Sequence, residues 1–106
     1  MKNNEVDNLI DIDNIVFVES VQSYAYINYI DGRILISENS LGELKSELPG
    51  EKFIRINESY IINADYVKKI RLGYPKKIIM HQNHEIEVNH FQYKELIQFL
   101  KYSYVI

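Results

Sequence analysis

Residues 53–63, FIRINESYIIN, hold two short apolar runs apart with a three-residue polar link. Phe53, Ile54 and Ile56 read as one strand and Tyr60, Ile61 and Ile62 as the next, because short runs rich in β-branched and aromatic side chains suit a pleated surface. Between them Asn57, Glu58 and Ser59 set amide, carboxylate and hydroxyl groups side by side. Such a corner presents hydrogen-bonding groups from a rigid base, which burial alone would not ask for.

The rest of the chain is punctuated in the same way. Strands are expected at about 15–19, 24–30 and 33–38, with Asp31-Gly32 as a two-residue hairpin turn, since that pair accepts positive φ angles. Ser40 with Glu43 three residues on spells a helical capping box; Leu41, Leu44 and Leu48 lie on one face, and Pro49-Gly50 ends the helix. Gly73 and Pro75 break the chain after Arg71, leaving KKIIMH and HEIEV as another hairpin around residues 82–84. A last helix is expected from about Phe91 to Tyr102, with Leu96, Phe99 and Leu100 facing inward. Strands outnumber helices and hairpins join them, so the fold class is mainly β and antiparallel. A chain of 106 residues makes one domain. Residues 13–106 are expected to form it, behind an acidic segment, 1–12, that reads as a loosely ordered terminus or, in a chain cut from a longer regulator, as the remnant of a linker.

Written as F-x-R-[IV]-x-x-S-[YF]-[IV]-[IV]-N, the 53–63 stretch resembles the central signature of the LytTR-type DNA-binding domain, the output module of many bacterial response regulators. The likeness extends along the chain. IVFVES and YAYINYIDGR resemble that family's opening hairpin, SLGELKSELP its short helix, Tyr66 to Ile70 the strand after the signature, and Glu87-Val88-Asn89-His90 the V-S-R-like tripeptide before the last helix. The resemblance implies an elongated stack of small antiparallel sheets with one or two short helices, which inserts loops into successive grooves of double-stranded DNA. Loops held by sheets adapt while keeping a register.

By the same resemblance three regions carry DNA contacts: the loop from Ser20 to Tyr24, where Ser23 or Tyr24 reaches a base edge; the corner at Asn57, Glu58 and Ser59; and His90. The family commonly writes His and then Arg or Asn before the Ser, and favours Arg in the tripeptide, so this chain departs at Asn57, Glu58 and His90. Arg would offer a bidentate fork to guanine O6 and N7, whereas neutral His offers one donor and one acceptor. A carboxylate only accepts, so Glu58 implies a contact such as the cytosine amino group, or a corner turned away from DNA. Asn57 can pair with adenine or cap its turn. Ser59 can donate to a phosphate or close a local turn. Arg55 can face solvent, pair with an acid or touch phosphate, and Asn63 before Ala64-Asp65 terminates a strand.

Net charge is −3, the wrong sign for a partner made of phosphates. The distribution matters more: the first twenty residues carry five acids against one lysine, a net −4, while Lys68, Lys69, Arg71, Lys76 and Lys77 fall within ten residues that hold no acid. That cluster lines a phosphate backbone or forms a solvated loop with basic flanks.

Other chemistries have less to work with. Tyr24 and Tyr26 share a strand face, either as a stacking platform for single-stranded nucleic acid or as aromatics at a core margin. His81, His84 and Glu85 supply two imidazoles and a carboxylate, short of a further ligand pair for a metal. Asp11 and Asp13 are paired acids in the loose segment. There is no Gly-rich phosphate loop and no nucleophile motif. No catalysis, cofactor or small-molecule substrate is expected. The chain has no cysteine and no signal-like start, and no apolar run approaches the ~20 residues of a membrane span, so a cytoplasmic location is expected. The expected function is sequence-specific double-stranded DNA binding by a bacterial transcriptional regulator, with a homodimer on a direct repeat implied by the family. The alternative is a LytTR-like domain that has lost DNA reading and serves protein interaction or self-association, as the acidic charge, Glu58 and the missing arginine would suit.

Overall fold

The computed structural model describes residues 11–71 and 73–103; the acidic segment expected at 1–12 falls, up to residue 10, outside them. Strands β1 (Ile15–Val21), β2 (Tyr24–Tyr29), β3 (Ile34–Ser37), β4 (Phe53–Arg55) and β5 (Tyr60–Asn63) form one antiparallel sheet in the order β3-β2-β1-β5-β4. Strands β6 (Val67–Arg71), β7 (Lys77–Met80) and β8 (Glu85–Glu87) form a second, in chain order. Helices α1 (Leu41–Glu47) and α2 (His90–Ser103) complete a mainly β body of 40 × 29 × 24 Å. Fold class and element order are as expected.

The larger sheet is the middle layer of three. On one face Val18, Ala25, Ile27, Phe53 and Ile61 bury against Leu41 and Leu44 of α1. On the other, Phe17, Ile54 and Ile62 bury against Ile78, Met80 and Ile86 of the small sheet and Leu96 of α2. Strand β1 reaches both cores through a bulge: Ile15 stands opposite Tyr29 and Phe17 opposite Asn28, leaving Val16 as the extra residue. Strict alternation would put Val16 beside Val18; the bulge shifts the phase, so Ile15 joins Val18 while Val16 and Phe17 turn together to the other core.

The β2–β3 turn differs from the expected two-residue form. Gly32 N–H donates to Tyr29 O (3.0 Å) and Tyr29 N–H to Arg33 O (2.9 Å), which makes a three-residue loop of Ile30, Asp31 and Gly32. Only Gly32 takes a positive φ, +93°, the arrangement in which one left-handed residue closes the loop. Asp31 is used differently: its carboxylate accepts from the Arg33 N–H (3.0 Å) and Nε (2.8 Å). The β1–β2 turn is the true two-residue one, with Gln22 at φ 57° and no glycine to announce it.

The capping box forms as read: Ser40 Oγ accepts from the Glu43 N–H (3.1 Å), and Glu43 Oε1 from the Ser40 N–H (2.8 Å). The Ser40 N–H first, and then the Ser40 hydroxyl, hold the Glu43 carboxyl below its usual range. Its contribution is complete above the ordinary carboxylate pKa and is lost as the pH falls through the depressed value. Ser40→Ala is expected to lower the unfolding free energy by about 1 kcal/mol, read as a reduced urea midpoint; an unmoved midpoint would remove the cap from the account. At the other helix, Asn89 Oδ1 accepts from the Gln92 N–H (2.8 Å), and α2 begins at His90, one residue before the expected start.

Asn63 ends β5 with no exposed surface. Its Nδ2 donates to Ile15 O (2.9 Å) and its Oδ1 accepts from the Asp65 N–H (2.9 Å). It therefore ties the end of β5 to the start of β1 and opens the 3-10 turn Ala64–Tyr66.

Candidate nucleic-acid interface

The polar corner between β4 and β5 is built by its own side chains. Arg55 Nε donates to Asn57 O (3.2 Å) and its Nη2 to Glu58 O (2.8 Å), while Asn57 Oδ1 accepts from the Ser59 N–H (2.7 Å). Arg55 thus clamps the corner. Its neighbours Glu58 and Ser59 are exposed. Beneath it, Tyr60 O–H donates to Glu19 Oε2 (2.8 Å), and burial first, then that bond, pushes the phenol up to about 12.

Two further regions converge on this corner. The Ser20 N–H donates to Ser59 O (2.8 Å), which brings the exposed Gln22, Ser23 and Tyr24 of the β1–β2 turn alongside. Asn57 Nδ2 donates across to Glu87 O (2.7 Å) at the end of β8, two residues before Asn89 and three before His90 at the start of α2. A cleft of about 560 Å³ lies between the sheets here, lined by Asn57, Glu58, Ser59, Tyr60, Lys77, Glu85, Ile86, Glu87 and Asn89. Three carboxylates and one ammonium make its lining acidic on balance.

The cations read from the sequence as one cluster are divided by the small sheet. Arg71 stands opposite Lys77, and Lys69 opposite Ile79, so Lys69, Arg71 and Lys77 share one of its faces. On that face Glu85 holds two of them, with Lys77 Nζ at 3.4 Å and Arg71 Nη1 at 3.9 Å. Lys76 lies over the Tyr93 ring, 5.0 Å from its centre. Lys68 is the extra residue of a second bulge and donates to Asn83 Oδ1 (2.8 Å), at the opposite end from the cleft. Arg71, Lys76 and Lys77 are therefore the cations at the corner's end.

A family model described as the LytTr DNA-binding domain matches residues 7–101. The chain belongs to the LytTr family. A relative, the sensory transduction protein LytT of Bacillus subtilis (strain 168), is 24% identical over 94 residues, covering 87% of this chain and 39% of LytT. A solved LytTr domain, from a Bacillus cereus protein described as a methyl-accepting/DNA response regulator, has the same fold. It matches at a TM-score of 0.77 with 20% identity, over 86% of this chain and 84% of that one.

In this LytTr domain the remaining sequence candidates have local roles. The His84 ring meets Phe17 edge-on (5.0 Å) and the His81 ring lies 6.0 Å from Tyr66. Among the described residues no group of three or more metal-binding side chains forms, and no helix is long and apolar enough to cross a membrane. Asp13 pairs with Lys52 (3.0 Å). Tyr24 and Tyr26 do share a face, in company with Ile36 of β3 across from Tyr26. Sequence reasoning passed over Asn89, although Asn with Gln three residues later is a helix-start signal. It also passed over Glu85 as the partner of Lys77 and Arg71, which only the strand register reveals.

Proposed function

We propose that this LytTr domain reads a short sequence of double-stranded DNA for a bacterial transcriptional regulator, working in the cytoplasm. The observation that carries the reading is convergence: the β1–β2 turn, the 57–59 corner and the start of α2 are joined by the Ser20–Ser59 and Asn57–Glu87 hydrogen bonds. In this reading they enter successive grooves. Ser23 or Tyr24, Glu58, Ser59 and His90 meet base edges, with Glu58 accepting from a cytosine amino group. Lys76, Lys77, Arg71 and Lys69 meet phosphates, with Lys68 further along the same strand. Arg55 serves the corner, since its guanidinium already holds two corner carbonyls. The names of the B. subtilis relative and of the B. cereus neighbour support a place in signal-dependent regulation. Two domains on a direct repeat would supply the affinity that a single one lacks.

The test is selection from a random duplex library at low salt, followed by titration of the winner against scrambled DNA at rising salt. One enriched motif, with its preference intact at physiological salt, is the expected result. No enrichment by folded protein would remove the reading.

One observation favours a second reading. Strand β3 is a sheet edge, and its outward Ile34 and Ile36 are 54% and 55% exposed. Natural edges are usually guarded by charge, proline or a bulge, and no such residue lies within Ile34–Ser37. A domain that works through protein contacts would use this strand. Sedimentation of the DNA-free chain decides it, with a monomer at all concentrations counting against self-association.

A further inference from the structure

We infer that Asn57 is a positioning residue that fixes the spacing between two reading elements, the 57–59 corner and the start of α2. The inference rests on the DNA reading above and goes one step past it. Pairing with adenine would need one donor and one acceptor of the amide aimed outward together. Both ends are engaged within the chain instead: Oδ1 accepts from the Ser59 N–H (2.7 Å), and Nδ2 donates to Glu87 O (2.7 Å). One end shapes the corner and the other crosses from the large sheet to the small one.

Position gives that crossing its importance. Between the sheets lies an apolar core of Phe17, Ile54, Ile62, Ile78, Met80 and Ile86. Apolar contact resists separation but has little directional preference, so it tolerates small sliding. A 2.7 Å hydrogen bond does not. Glu87 ends β8, and Asn89 then caps α2 through the Gln92 N–H. A displacement of the corner relative to Glu87 is therefore a displacement relative to His90. Base readout needs side chains held to within about 0.5 Å of their productive geometry. Arg55 stiffens the near end of the strut by holding Asn57 O and Glu58 O.

Asn57→Ser isolates the crossing bond, because a serine hydroxyl can still accept from the N–H two residues on but cannot span to Glu87 O. The chain has no cysteine, so Glu47→Cys on α1 and Lys94→Cys on α2, both exposed, carry a pair of spin labels without competition. In the DNA-free protein, Asn57→Ser is expected to broaden the label-to-label distance distribution while α1 and α2 stay folded. An unchanged distribution overturns the strut whether or not the chain binds DNA.

The second arm uses the selected duplex and its single-base variants. A strut predicts that discrimination falls by about threefold or more at the base pairs under both elements, from the ~5–150-fold of a good base contact. A loss confined to one base pair would make Asn57 a reader and overturn the inference. A wild-type chain that enriches no duplex removes the DNA reading alone, and the distance measurement still decides the strut.

Discussion

Asn63→Ala is expected to lower the unfolding free energy by about 2–4 kcal/mol, a large share of the ~5–15 kcal/mol that holds a typical domain together. The side chain has no exposed surface and makes two hydrogen bonds, to Ile15 O and from the Asp65 N–H. Alanine removes the buried bond to Ile15 O and the part-buried bond from the Asp65 N–H, and a buried group left unmet costs about 1–3 kcal/mol. Asn63→Asp should be no better, since a carboxylate would set an acceptor against Ile15 O. The measurement is urea unfolding, with a lower midpoint and an unchanged slope. A loss below about 1 kcal/mol would mean that water reaches the site and restores both partners.

The second large effect concerns affinity. Lys76→Ala with Lys77→Ala is expected to weaken every duplex alike by about 30-fold at 0.15 M salt and to flatten the log K against log salt slope by about 1.8, the value for two lost phosphate contacts. An unchanged slope would take both lysines out of the interface. Because Lys76 also lies over Tyr93, the variant's midpoint must be checked. A control of opposite sign comes from Glu85, whose carboxylate faces Lys77 and Arg71. In the proposed interface, phosphate would have to draw both cations away from it. Glu85→Gln should therefore tighten binding by about two- to fivefold while leaving stability nearly unchanged, as expected for exposed ion pairs worth ~0–1 kcal/mol. Weaker binding in that variant would mean that Glu85 orients the cations for DNA rather than detaining them.

Legibility in the sequence followed the range of the interactions. The capping box at Ser40 and Glu43, the strands on either side of Asn57-Glu58-Ser59 and the inward face of α2 are short-range patterns, and the structure has them where they were expected. The Asp31-Gly32 turn was legible in kind but not in size, because Asp31 spends its carboxylate on Arg33 instead of adopting a positive φ. What a chain segment meets across a sheet was not legible. Val16 bulges only relative to β2, Glu85 meets Arg71 only through the pairing of β6, β7 and β8, and Asn57 finds a backbone carbonyl thirty residues away. A carbonyl belongs to every residue, so no motif points to it. Of the candidate contacts, Arg55 and Asn57 turn out to build the corner, while Glu58 and Ser59 are the side chains it leaves facing outward.

The bulge at Val16 also bears on how the molecule comes apart. Because β1 sends Ile15 and Val18 into one core and Val16 and Phe17 into the other, neither core can dissolve while the other survives intact. Melting should be a single cooperative event, with far-ultraviolet and tyrosine signals superimposing. No shortened version that drops α2 and the small sheet should persist as a folded half.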